Sequence, residues 1–402
     1  MPHPTAEAPV AIIGAGVAGL ALAVLLRRQG RAVSLFEARP REALKEGAFL
    51  TLAPNGINAL RALGLAERIA AIGVPTLGFE IMNAAGRRLV RLDEQDAMRQ
   101  AGAESVTLRR SDLLGALLDE AISLGVDISF GHALEEITTG PDGTRLRFGN
   151  GVEADAAWVA GCDGVWSRTR RLCFPGSPDP VYTGLTGTGG VIDLPAVQPT
   201  SGLMRMVFGD KAFFGYIKAA SGPVFWFDSF PLDEEAALAR PDPAKLVATV
   251  RRLHASDPEE VRRIIAAVRE IPRGYPVFDM RHLPRWHDGQ IVLLGDAAHA
   301  VSPHAGQGAS MAIEDAVVLA ACLDAGTSPQ QAFAVFQSLR QERVEHIVRT
   351  SRRIGQQKQA SGRVALFLRD LMLPFFIRFG SRTTRAMTFY RADLNPLERP
   401  SR

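Results

Sequence analysis

The chain has 402 residues, beyond the size at which one hydrophobic core keeps growing, so about two domains plus an appendage are expected. Apolar residues make up 47% and charged residues 22%, no apolar run reaches the roughly 18 residues of a membrane span, and Met1 to Ala8 lacks the apolar centre of a signal peptide. These features argue against a disordered, membrane-spanning or secreted chain; a net charge of +3 gives no sign of a nucleic-acid partner, and a cytoplasmic globular protein is expected.

Val10 to Ile13 is an apolar strand that runs into Gly14-Ala15-Gly16-Val17-Ala18-Gly19. The spacing predicts a tight turn at Gly14, close approach of a pyrophosphate at Gly16 and close helix packing at Gly19. The helix, Val17 to Gln29, carries Leu20, Val24 and Leu25 at helical spacing and ends at Gly30, with its free amides directed at the phosphates. A second strand, Ala32 to Phe36, finishes at Glu37, where a carboxylate can accept hydrogen bonds from an adenosine ribose and disfavours a 2′-phosphate. This unit predicts a dinucleotide site and leaves NAD and FAD both open.

Gly47 to Gly56 comes next, then a helix over Ile57 to Ile69 and a hairpin over 77 to 98, with strands Gly78–Met82 and Arg88–Leu92 around the turn Asn83-Ala84-Ala85-Gly86. Arg109-Arg110-Ser111 opens an amphipathic helix to about Leu124. Strands are predicted at Val126 to Phe130, Leu134 to Thr139, Arg145 to Phe148 and Ala156 to Ala160, the last leading into Gly161-Cys162-Asp163-Gly164. Residues 180 to 235, rich in glycine and aromatics, read as antiparallel sheet, followed by charged helices at Pro243 to Leu253 and Pro258 to Glu270. The apolar strand Ile291 to Leu294 ends at Gly295-Asp296. Gly308 to Leu323 and most of the remainder are helical, broken at Pro374.

Cys162, Cys173 and Cys322 have no metal-ligand spacing and read as small apolar residues, so no metal site is expected. From Arg340 to Arg402, 14 basic residues stand against 5 acidic ones. Solvated arginines on helical faces are the plainer reading; attraction of an anionic nicotinamide cofactor or of acidic lipid is the other. The apolar residues between Val364 and Tyr390 could cap the site, form a dimer face or lie on a membrane surface, and capping or internal packing is the expectation.

Three motifs in order carry a family resemblance: the glycine turn with Glu37; Asp163-Gly164-Val165-Trp166-Ser167-Arg168-Thr169-Arg170; and Gly295-Asp296-Ala297-Ala298-His299 through Pro303-His304-Ala305-Gly306-Gln307-Gly308, followed by Glu314-Asp315-Ala316. The chain resembles the class A flavoprotein monooxygenases of the para-hydroxybenzoate hydroxylase type. The resemblance implies an α/β fold with a three-layer, Rossmann-like FAD-binding domain in segments 8–76, 100–178 and 273–355. An antiparallel β-sheet substrate domain is inserted at 77–99 and 179–272, and 356–402 forms a C-terminal helical region. It further implies that NAD(P)H reduces FAD and that one oxygen atom of O2 passes, through a flavin C4a-hydroperoxide, to a small aromatic or other electron-rich substrate. The protein would be a monomer or homodimer.

Under that resemblance the cofactor-binding set is Gly14, Gly16, Ala18, Gly19, Glu37, Ala38, Arg39, Arg110, Asp163, Asp296, Pro303, Gly306, Gln307, Gly308 and Ala309. Asp296 is placed to accept hydrogen bonds from ribityl hydroxyls, and amides at the start of the next helix to stabilise reduced flavin. Asp163 and Arg170 could instead form a local ion pair. His299 and His304 read as structural. The substrate is expected between the Pro303 turn and the sheet of 180–235, with Met204, Met206, Phe208, Phe214, Tyr216, Phe225 and Phe227 as candidate walls, of which only alternate positions can face it. Arg205 and Tyr216 are the candidate catalytic residues, one for an anion and one for a hydroxyl. Hydroxylation, epoxidation, Baeyer–Villiger insertion and antibiotic modification all remain open, as does an FAD-dependent reductase; a halogenase is disfavoured by the lack of Trp-x-Trp-x-Ile-Pro.

Overall fold

In the computed structural model, which describes residues 8–392 apart from 142, 240, 241, 327, 360 and 361, two large sheets organise the chain. The first is centred on β1 (Val10–Ile13), which is apolar and buried throughout, as a parallel strand covered on both faces must be. The strand order is β18 (His287–Asp288), β19 (Ile291–Leu293), β12 (Val159–Gly161), β1, β2 (Val33–Glu37), β8 (Asp127–Phe130). All neighbours are parallel except the short outer β18.

Helices α1 (Val17–Arg28), α5 (Arg110–Ser123) and α11 (Gly308–Asp324) pack together as a layer on this sheet. A meander of β9 (Leu134–Gly140), β10 (Gly143–Phe148) and β11 (Glu153–Ala156) supplies the third layer, its Phe148 ring 4.5 Å from that of Phe36 on β2. The expected three-layer nucleotide-binding architecture is therefore present, and the loops at the carboxyl ends of β1, β12 and β19 meet along one edge.

The second sheet runs β17 (Tyr275–Asp279), β13 (Val181–Ile192), β16 (Val224–Pro231), β15 (Phe213–Lys218), β14 (Leu203–Phe208), β5 (Gly78–Asn83), β6 (Arg88–Asp93). It is antiparallel except between β14 and β5. Its outer strand β17 lies just past position 272, in the stretch that the sequence assigned to the nucleotide-binding part.

Strand periodicity splits this sheet into two apolar faces. Val207, Phe214, Tyr216 and Trp226 pack against α8 (Pro243–Leu253) and α9 (Glu259–Ala267). Met204, Met206, Ile217, Phe225 and Phe227 face Phe49 of β3 (Phe49–Leu52). A small sheet of β3, β7 (Val106–Arg109) and β4 (Val74–Pro75) joins the two halves.

The remaining helices are α2 (Pro54–Ala62), α3 (Ala66–Ile72), α4 (Gln95–Ala101), α6 (Arg168–Cys173), α7 (Glu234–Leu238), α10 (Asp296–His299), α12 (Pro329–Gln357) and α13 (Arg363–Thr388). Three local expectations are corrected. The helix predicted over 57–69 is two helices, parted where Gly64 turns left-handed at φ +64°. The strand predicted over 156–160 ends one sheet at Ala156 and begins another at Val159. Pro374 does not break α13: it forfeits one backbone hydrogen bond, while Leu373 and Ile377 keep the helix packed on Ile81 and Val90 of the hairpin. Packing holds only one side of α13, for Val364, Phe367, Leu368 and Leu371 are exposed. No helix among the described residues is long and apolar enough to cross a membrane.

The helix-backed face carries a buried titratable cluster. His254, at the end of α8, lies 2.6 Å from Asp257 and 3.4 Å from Asp228. Burial opposes its charged form, but the two carboxylates outweigh burial and raise its pKa to about 9. Because the folded value lies above the ordinary 6.5, the stabilisation is complete below about pH 6.5 and is lost as pH rises through about 9. Stability is expected to fall by on the order of 3 kcal/mol across that window, and a thermal melt of H254Q should lack this alkaline slope.

Candidate active site

Packing fixes the glycine turn. Gly14 has φ +106°, and a Cβ there would lie 2.5 Å from the Cys162 carbonyl oxygen. A Cβ at Gly19 would collide with the carbonyl of Gly14, so α1 sits directly on the turn. Gly16 differs: no atom of the described residues lies within 4 Å of its Cβ position, which faces open space. Among the described residues no side chain caps α1, which leaves its first-turn amides available to a ligand. The buried Glu37 accepts from the Ala15 amide at 2.8 Å and from the Arg39 amide and Nε at 3.0 and 3.2 Å. Ala38 and Arg39 are exposed beside it.

The turn after β19 comes against the start of α1, where the Cβ position of Gly295 is 3.1 Å from the Cβ of Ala18. Asp296 opens into the groove. The groove walls crowd its carboxyl and push the pKa up, while His299 and Arg110 pull it down. Half-buried Arg110 packs on Gly47 and donates to the Glu46 carbonyl at 3.3 Å. Burial and Arg39 lower its pKa, and Asp296, Tyr275 and Glu37 raise it, so these groups share one field. The Pro303–Ala305 turn, Gly306 in left-handed conformation at φ +61°, and the uncapped start of α11 at Gly308 and Ala309 complete the groove.

Two members of the expected set have side chains already engaged by the protein. The Gln307 side chain is buried and accepts from Asn55 Nδ2 at 2.8 Å, so only its backbone faces the groove. Asp163 accepts from Ser167 Oγ at 2.5 Å and from the amide and hydroxyl of Thr169 at 2.9 and 3.0 Å, which makes it a clamp on its own turn. The alternative of an Asp163–Arg170 ion pair is corrected as well: Arg170 is buried and donates to the carbonyls of Ala297 at 2.7 Å and Val165 at 2.8 Å. Through Ala297 it ties the two groove turns together.

Behind the second turn lies a buried ionic cluster that sequence reasoning missed. Arg340 pairs with Glu314 at 2.6 Å and with Asp315 at 2.8 Å, and Arg343 pairs with Glu314 at 2.8 Å. Asp315 also accepts from His299 at 2.5 Å and from the Gly295 amide at 3.0 Å, so His299 is a strut. Burial would raise the Asp315 carboxyl, but His299 and Arg340 hold it at about 2. The Glu314-Asp315-Ala316 sequence was the one available sign of the cluster.

Arg205 and Tyr216 are corrected. They pair across β14 and β15 on the helix-backed face, where Arg205 donates to the Tyr216 hydroxyl at 3.2 Å and pairs with Glu80 at 3.2 Å. Tyr216 is 1% exposed and packs with Phe214 and Trp226. Of the candidate walls, Phe214 and Tyr216 therefore drop out, whereas Met204, Met206, Phe225 and Phe227 lie on the face toward Phe49. Phe208 belongs to an adjoining cluster with Phe213 and Leu373. Phe49 itself, 5.4 Å from the Phe225 ring, was not foreseen.

A groove with free helix amides at both ends, a buried ribose acid and an open aspartate suits a long dinucleotide, and the fold is that of an FAD-dependent oxidoreductase. Residues 7–351 match the FAD binding domain family, and the chain belongs to it. It is similar to aurachin C monooxygenase/isomerase of Stigmatella aurantiaca, with 32% identity over 94% of this chain and 98% of that protein. It is also similar to 3-amino-4-hydroxybenzoate 2-monooxygenase of Streptomyces cremeus, with 33% identity over 87% of each chain. The fold is shared with Klebsiella pneumoniae HpxO complexed with FAD and uric acid, at a TM-score of 0.84 and 23% identity over 94% of this chain and 96% of that one. The chain is an FAD-dependent monooxygenase.

The residues present fit FAD. The space over Gly16 admits a pyrophosphate, Asp296 is an exposed acceptor, Glu37 keeps acceptor capacity beside its bonds to Ala15 and Arg39, and the Pro303–Gly308 segment offers backbone to a flat ring.

Proposed function

We propose that this monooxygenase uses NAD(P)H and O2 to hydroxylate a small aromatic substrate that itself bears a ring hydroxyl. The observation that carries the reading is the face of Phe49, Met204, Met206, Phe225 and Phe227, an apolar and aromatic wall of the second sheet. Similarity to 3-amino-4-hydroxybenzoate 2-monooxygenase and to 6-hydroxynicotinate 3-monooxygenase supports a hydroxyaromatic substrate.

FAD supplies the redox chemistry that activates O2. The protein's share is positional. In this reading Gly14, Gly16 and Gly19 seat the pyrophosphate on α1, Glu37 holds the ribose with Ala38 and Arg39 beside it, and Arg110 and Asp296 hold the central chain. Pro303, Gly306, Gly308 and Ala309 place the ring, and the aromatic wall orients substrate and keeps out water that would divert oxygen to peroxide.

A screen of hydroxyaromatic compounds, following NAD(P)H oxidation, O2 uptake and peroxide together, tests the proposal. At least tenfold stimulation by one compound, with O2 consumed and little peroxide, is expected. NAD(P)H oxidation coupled to a saturated product without O2 uptake would establish the reductase reading instead.

A further inference from the structure

Lys358 is one of five lysines in a chain with 46 basic residues, the others being Lys45, Lys211, Lys218 and Lys245. It follows the last turn of α12 and is 9% exposed. Its Nζ lies 3.2 Å from Nδ1 of His304, on the Pro303–Ala305 turn. It also lies 3.6 Å from the ring centroid of Phe213, which packs against Met206 and Phe227. One amine thus bridges the two walls between which the substrate is proposed to lie.

No carboxylate pairs with Lys358 among the described residues. The His304 ring rests on Gly355, where a Cβ would come 2.5 Å from ring carbon Cδ2, so α12 accommodates His304 only through a glycine. His304 Nε2 is buried without a partner among the described residues. On its outer side His304 borders a polar cavity of about 130 Å³, lined also by Thr183, Arg281, Arg352 and Gln356. Arg352 there is paired with Asp279 at 2.7 Å. Among the described residues the amine is thus met by an imidazole and a phenyl ring, and by no carboxylate within ion-pair distance.

We propose that Lys358 is the base that removes the proton from the hydroxyl of the aromatic substrate and then pairs with the resulting oxyanion. The proposal rests on the hydroxylase reading. In the step the substrate O–H bond breaks, its electron pair stays on oxygen, and an N–H bond forms on Nζ; nothing is oxidised or reduced. The oxyanion makes the ring more electron-rich for oxygen transfer, and the Phe213 face stabilises the new ammonium. Burial suits the residue to this work, since it lowers the Lys358 pKa to about 7, whereas burial and Lys358 lower His304 to about 3. His304 is a positioning residue that accepts from the amine.

The test uses FAD-loaded protein and 4-nitrophenol, whose anion is coloured. Bound to wild type, the probe should ionise at least about tenfold more readily than in water, and K358M should lose that gain. K358R, a cation that cannot act as base, should retain binding of the anion. Equal ionisation of the bound probe by wild type and K358M, or no binding to wild type, would overturn the assignment. A second readout needs no variant to fold: with 13Cε-lysine labelling, one of five signals should titrate near neutrality and move upward with probe, and the idea fails if none does. Neither readout needs turnover, so absent O2 uptake with every hydroxyaromatic would remove the hydroxylase reading separately.

Discussion

Arg340→Met is expected to cost on the order of 3–5 kcal/mol and to leave a protein that releases FAD. Arg340 and both its carboxylates, Glu314 and Asp315, are fully buried. Removing the cation leaves two buried acids to share Arg343 and His299, and an unpaired buried charge costs more than the pair contributed. The cost reaches the cofactor because the same acids hold both turns: Asp315 accepts from the Gly295 amide, and Glu314 from Asn55, which also holds Gln307. The pH response follows from the same cluster. The Glu314 and Asp315 carboxyls are both held below their ordinary values, so their contribution is present above about pH 4 and is lost as pH falls toward about 2. In R340M the acid unfolding midpoint should move to higher pH. Denaturant melts with the flavin absorbance ratio measure both effects; a loss below about 1 kcal/mol with flavin retained would mean the cluster does not hold the turns.

The glycine turn, its strand and helix, and the Asp296 turn were legible because their constraints are local. A left-handed φ at Gly14 demands glycine, and a strand covered on both faces demands an unbroken apolar run. Alternation along β14 and β15 correctly divides each strand into two sets of side chains. It does not say which set packs on helices and which lies toward Phe49, since Phe214 and Trp226 on the helix-backed face are as apolar as Phe225 and Phe227 on the other. That choice is made by α8, α9 and Phe49, all distant in sequence, and it is why Arg205 and Tyr216 were misplaced. Arg340 lies 25 residues from Asp315 along the chain, with no local pattern to mark it. Lys358 did carry a signal: between residues 340 and 402 it is the one lysine among arginines.

Gly16→Val and Gly19→Val should both give colourless protein, for different reasons. At Gly19 the obstacle is the protein: the new Cβ meets the Gly14 carbonyl and the Ile12 side chain, so α1 must lift from β1. Thermal stability of the apoprotein should fall, by about 2 kcal/mol or more, together with cofactor binding. At Gly16 no atom of the described residues lies within 4 Å of the Cβ position, so the apoprotein should melt as wild type does. What the valine meets is the space assigned to the pyrophosphate, and FAD affinity should fall at least about a hundredfold, read by quenching of flavin fluorescence on titration. The pair of substitutions separates the fold of the turn from its use. If Gly16→Val bound FAD as tightly as wild type, the phosphates would have to lie elsewhere, and the assignments of Glu37 and Asp296 to the two ends of the cofactor would lose their common origin.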